Sequence, residues 1–81
     1  MQVNEVLRFV ISSCDLSYRQ VSATLGKSPN WAGIVSMPSR TPSTATLADV
    51  ADVCGYDLQL VRRDTGATVT VTPPRRAGDG A

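Results

Sequence analysis

Apolar residues recur at three- and four-residue steps along the first two thirds of the chain and at every second residue beyond Gly55. The first pattern is helical and the second is extended. Val3, Val6, Leu7, Val10 and Cys14 form one stripe, so residues 2 to 13 read as an amphipathic helix with Glu5 and Arg8 turned outward. A second helix opens at Ser17. Its hydroxyl can accept from the Gln20 N–H while the Gln20 side chain reaches back to the Ser17 N–H, which is a capping box. Val21 and Leu25 lie one turn apart on the inward face, and Ser22 and Ala23 are small enough for close helix approach. Gly26 ends this helix, because glycine takes positive φ without a Cβ penalty, and Lys27 falls in the turn.

A third helix is expected to begin almost at once. Ser28 would be its N-cap and Pro29 its first helical residue, where the missing N–H has no partner to lose. Ala32 and Val35 would form a narrow buried edge, with Asn30, Gly33 and Ile34 on other faces. Met37 to Thr44 holds two prolines, two serines and two threonines around Arg40 and reads as a loop. Ser43 then caps a fourth helix whose stripe is Leu47, Val50, Ala51 and Cys54, and Gly55 ends it.

Past Gly55, Tyr56, Leu58 and Leu60 share one face, while Val69 and Val71 alternate with Thr68, Thr70 and Thr72. These two runs predict a β-hairpin turning at Asp64 to Ala67. An even-numbered loop, setting Leu60 opposite Val71 and Arg62 opposite Val69, collects Leu58, Leu60, Val69 and Val71 on one face. A lone hairpin is marginal in water, so that face packs on its own helices or on a second subunit; the sequence leaves both open. The expected domain is a single unit, residues 1–72, with the hairpin at about 56–72 and a disordered tail at 73–81.

Charge adds direction to this outline. The net charge is only +1, with a pI near 7.8, which argues against a nonspecific basic coat. The distribution is uneven. No acidic residue stands between Asp15 and Asp49, and Arg19, Lys27 and Arg40 all fall in that window, whereas Asp49, Asp52 and Asp57 follow it. One cationic and one anionic face are expected.

Two short helices joined by a glycine turn make a helix-turn-helix, whose second helix enters the major groove of DNA. Leu16-Ser17, the spacing of Val21, Leu25 and Gly26, then Ser28, and the run PSTATLADVADVCG from Pro42 to Gly55 resemble the Cro/CI-like (XRE) helix-turn-helix family of lambda-repressor-like fold. The resemblance runs from about Val6 to Leu60. It implies a mainly α domain of four to five helices, here followed by a C-terminal β-hairpin. It also implies sequence-specific binding of double-stranded DNA by a small transcriptional regulator, a repressor of phage or mobile-element type, acting as a homodimer on an inverted repeat. Pro29 replaces a longer polar side chain common in the family, and Ser36 to Ser39 stand where Glu and Gly are frequent. Base preference therefore does not carry over.

The expected base contacts are Ser28, Pro29, Asn30, Gly33 and Ile34. Asn30 suits a bidentate pair with adenine, worth about 1–3 kcal/mol of discrimination, and its alternative role is a second cap. Pro29 and Ile34 offer only apolar contact, as to a thymine methyl. Phosphate contacts are expected from Tyr18, Arg19, Lys27, Trp31, Ser39, Arg40 and Thr41. The indole N–H of Trp31 either donates to a phosphate or the ring braces the helix pair; Arg19 and Arg40 have surface ion pairing or plain solvation as alternatives.

Other chemistries find little support in the residues. The chain lacks His, and its two cysteines, Cys14 and Cys54, read as buried thiols at helix ends, with a structural bridge between them as the alternative. No catalytic constellation, metal or cofactor is expected. The longest apolar run, near Phe9 to Ile11, suits neither a membrane span nor a signal peptide, and a reducing cytoplasmic setting is expected. The alternative function is a protein-interaction adaptor or antitoxin-like module, binding a protein partner through the hairpin and the acidic fourth helix.

Overall fold

A computed structural model describes residues 1–74 of the 81; Arg75, Arg76 and the remainder of the expected tail lie outside the described residues. Four helices precede one antiparallel two-stranded sheet: α1 (Val3–Ser13), α2 (Tyr18–Thr24), α3 (Trp31–Val35), α4 (Thr44–Val53), β1 (Leu58–Val61) and β2 (Thr68–Val71). Helices predominate. No helix among the described residues is long and apolar enough to cross a membrane.

Local chemistry sets the ends of α2 and α4. The Gln20 N–H donates to Ser17 Oγ at 3.1 Å, and the Ser17 N–H donates to Gln20 Oε1 at 2.8 Å, completing the capping box. Gly26 takes φ +70°, which lets the Lys27 N–H return to the Ser22 carbonyl at 2.8 Å and the Gly26 N–H to the Ala23 carbonyl at 3.0 Å. That pair of bonds is a Schellman motif, and it closes α2. The same motif closes α4, where Tyr56 bonds back to Ala51 and Gly55 to Asp52. Ser43 Oγ accepts the Thr46 N–H at 3.1 Å at the start of α4.

The core draws on every helix: Leu7, Val10 and Ile11 of α1, Val21 of α2, Ala32 of α3 and Val50 of α4 are all buried. Ile11, outside the expected stripe, is also buried, and Cys14 sits half-buried at the end of α1. Ala23 is exposed, so of the two small residues Ser22, and not Ala23, faces inward.

Two sequence expectations need correction. Helix α3 begins at Trp31, not at Pro29. Ser28, Pro29, Asn30 and Trp31 form a turn, closed by the Trp31 N–H on the Ser28 carbonyl at 3.0 Å, so Ser28 does not cap α3 with its side chain. The reason is nonlocal. The buried Ser22 hydroxyl of α2 accepts the Ala32 N–H at 2.9 Å, satisfying an orphan donor of the first turn of α3 from outside the helix.

The hairpin register is also displaced. Leu58 pairs with Val71 and Leu60 with Val69, two residues away from the expected Leu60–Val71 and Arg62–Val69 pairs. The parity holds, so Leu58, Leu60, Val69 and Val71 still share a face. A two-residue turn at Thr65-Gly66 would have demanded positive φ from a β-branched threonine. Instead, Arg62 and Ala67 close a loop of residues 63–66, with Gly66 alone at φ +75°. The Gly66 N–H donates to the Arg62 carbonyl at 2.8 Å, and Arg62 Nε meets the Asp64 carboxylate at 2.7 Å.

The base of the hairpin answers part of the open packing question. Leu58 and Val71 are half-buried beside α4, and Pro73, placed by sequence at the start of the tail, is buried. Further along the same face Leu60 and Val69 remain 67% and 65% exposed. One half packs on the helices and the other is bare.

Candidate nucleic-acid interface

The helix-turn-helix unit is held at a fixed angle by two buried serines. Ser22 Oγ donates to the Tyr18 carbonyl at 2.9 Å while accepting the Ala32 N–H, so a single hydroxyl joins α2 to α3. Ser36 Oγ donates to the Ala32 carbonyl at 2.8 Å, and the Ser36 carbonyl accepts from Arg8 Nε of α1 at 3.1 Å. Helix α3, only five residues long, is therefore fastened at its start to α2 and at its end to α1. An isolated helix of this length would not persist in water. From the sequence Ser22 counts only for its size, Arg8 only as an outward charge and Ser36 only as the start of a stretch that departs from the family; none of them is expected as a tie. Their roles rest on partners far along the chain, although a small hydroxyl residue at an inward helix position is the available signal.

With its inner side occupied, α3 presents the predicted base-contact set outward. Ser28, Pro29 and Asn30 are exposed, Ile34 is 41% exposed, and Gly33 is half-buried. Asn30 stands at the N-cap position of α3 with a helical backbone and no side-chain cap bond. The alternative capping role is thus not the one the side chain plays. Gly33 has ordinary helical geometry, and a Cβ built there would meet nothing within 4 Å. No packing within the described chain requires a glycine at this position, although glycine costs a helix interior about 1 kcal/mol relative to alanine.

The phosphate candidates divide into two groups. Tyr18 and Trp31 are half-buried and pack against the core, which favours the bracing role for the indole. Lys27 is exposed, with its ammonium 5.7 Å from the Trp31 ring centroid, so the ring steers this cation while leaving it open to solvent. Arg19, Ser39, Arg40 and Thr41 are exposed, and the Arg40 N–H donates to the Met37 carbonyl at 2.9 Å, ordering the loop. Arg40 and Thr41 also line a shallow cleft of about 210 Å³ with Gln2, Val3, Asn4 and Pro38. Among the described residues, Arg19, Lys27 and Arg40 have no carboxylate partner; the ion pair present is Arg62 with Asp64 in the hairpin loop. The surface-ion-pair alternative for Arg19 is thereby set aside.

The acidic residues lie elsewhere. Asp52 and Asp57 line an open cleft of about 380 Å³ between α4 and the hairpin, together with Ala48, Tyr56, Leu58 and Pro73. Arg19 thus lies on α2 and Lys27 and Arg40 in the segments flanking α3, whereas Asp49 and Asp52 lie on α4 and Asp57 just ahead of β1.

Comparison with known proteins returned no match to a family model, to a curated protein or to a solved structure. The functional reading therefore rests on this chain's own geometry.

Proposed function

We propose that the protein is a small sequence-specific binder of double-stranded DNA, a transcriptional regulator of the Cro/CI-like kind with a lambda-repressor-like arrangement of its helices. The observation that carries this reading is the outer face of α3. Asn30 has no capping bond, Gly33 has open space above it, Ile34 is bare, and exposed Lys27 stands at the entrance to the helix. Major-groove reading calls for such a face: short side chains that let the helix approach, one amide for bidentate pairing, and flanking cations for phosphates.

Few cations are present, so one copy neutralises only a few phosphates and binds weakly and in a salt-sensitive way. A second copy would supply the missing contacts. The bare half of the hairpin face, Leu60 and Val69, is the surface we assign to that homodimer, with the recognition helices about 34–36 Å apart on an inverted repeat. Repression is the outcome we assign to occupancy of such a site.

A second reading draws on the same hairpin. Exposed Leu60, Val61 and Val69, together with the acidic cleft at Asp52 and Asp57, suit a protein partner and hence an adaptor or antitoxin-like role. Selection of bound fragments from random duplex DNA at moderate salt separates the two. An enriched palindrome supports the DNA reading, and failure to enrich any sequence favours the adaptor.

A further inference from the structure

Cys14 and Cys54 take no part in the interface described above, yet the fold brings them to one place. Cys14 is the C-cap residue of α1 and Cys54 the C-cap residue of α4, and these two helices pack against each other. Ser13 Oγ and Tyr56 Oη are hydrogen-bonded at 2.5 Å, which clamps the residue before Cys14 to the residue two beyond Cys54. The Cys14 thiol is held at the helix end, 3.3 Å from the Ile11 carbonyl and 3.8 Å from that of Leu16. Cys54 packs against the core beside it, and both thiols are half-buried. A disulfide needs Cα atoms roughly 4.4–6.8 Å apart, a separation that two helix ends in contact can reach.

We propose that Cys14 and Cys54 are a reversible oxidation site, closing into an intramolecular disulfide when the protein meets a small-molecule disulfide such as oxidised glutathione. Cys14 releases its proton to solvent and its sulfur attacks one glutathione sulfur; the glutathione S–S bond breaks, a mixed disulfide forms at Cys14, and one glutathione thiolate leaves and takes up a proton. Cys54 then releases its proton to solvent and attacks the Cys14 sulfur, expelling the second glutathione thiolate. Two protein thiols are oxidised and one glutathione disulfide is reduced to two thiols.

The order of the steps follows from the surroundings of Cys54. Burial, then the hydrogen bond and charge of the neighbouring Cys14, push its thiol from 9.0 up to about 12. Beside a free Cys14 it is a poor nucleophile at neutral pH, so Cys14 attacks first; once Cys14 is in the mixed disulfide, burial alone still holds the Cys54 thiol up, and closure waits on its deprotonation. The rate of closure climbs close to tenfold per pH unit, because the thiolate fraction does so below its pKa.

The test counts thiols and does not depend on DNA binding. The full chain, folded and reduced, is incubated with oxidised glutathione, quenched in acid, unfolded, alkylated and weighed by intact mass spectrometry. The expected sequence is a transient species with one glutathione and one alkylated cysteine, followed by a monomer with no alkylatable thiol. Cys54→Ser halts at the mixed disulfide, which is then stable. The closed form melts roughly 10 °C higher, and dithiothreitol reverses the shift. Persistence of two free thiols, glutathione stably attached at both cysteines, or disulfide-linked dimers would each overturn the proposal.

Discussion

Replacing Gly33 with alanine separates the needs of the fold from the needs of the interface. Gly33 is the third of the five residues of α3, its φ is not in the positive region, and an added Cβ meets nothing within 4 Å. The substitution therefore carries no packing penalty. It removes the entropy cost of glycine in a helix, a gain of about 0.5–1 kcal/mol. For a domain of this size that raises the melting temperature by about 2–8 °C, readable by circular dichroism on heating. On DNA the same methyl projects from the face we assign to the groove. Overfilling a close-packed contact costs about 1–3 kcal/mol, so affinity for the selected duplex falls by roughly 5- to 150-fold in an anisotropy titration. A variant that is both more stable and as tight a DNA binder would refute the placement of Gly33 against base edges. A variant that is less stable would refute the reading of its surroundings.

Three further outcomes follow from the contacts described. Ser22→Ala leaves the buried Ala32 N–H without its acceptor and lowers unfolding free energy by about 1–3 kcal/mol, measured from the urea midpoint at constant slope; an unchanged midpoint would contradict the latch. Leu60→Lys places a charge on the bare half of the hairpin face, so sedimentation shows a monomer while the circular dichroism spectrum keeps its helical signal; an intact dimer would move the interface elsewhere. Alkaline stability reports on Cys54. Its thiol titrates at about 12 in the folded protein against an ordinary 9.0, so above pH 9 the unfolded chain loses this proton first. Stability then declines as pH rises from about 9 towards about 12, and the decline is smaller in Cys54→Ser, measured by urea unfolding across that range.

Much of the fold was legible because its signals are local. The Ser17–Gln20 box, the Ser43 cap and the glycines at 26 and 55 each act within a few residues, and each stands where its spacing placed it. Alternation likewise set which hairpin residues share a face. The start of α3 was not legible, since Ser28-Pro29 carries a sound local cap signal that is overridden by the Ser22 hydroxyl ten residues from Ala32. The hairpin slipped by two residues for a related reason: face pattern determines parity, whereas absolute register depended on Gly66 alone accepting positive φ.

The candidate site divides in the same way. The exposure of Ser28, Pro29 and Asn30 followed from their place ahead of an inward-facing Ala32. The inward lean of Tyr18 and Trp31 depended on core partners from other helices, and no spacing rule reports those. The contacts of Ser36 with Arg8, 28 residues apart, are of that kind too.

The central claim is that the outer face of α3 enters the DNA groove. Its most direct test is amide chemical-shift mapping of the isotope-labelled protein as the selected duplex is added. The account predicts that the largest shifts, and protection of the Asn30 side-chain amide, fall within Lys27 to Ile34, with smaller changes at Arg19 and Arg40. Shifts confined to α4 and the hairpin, with Lys27 to Ile34 unmoved, would contradict it.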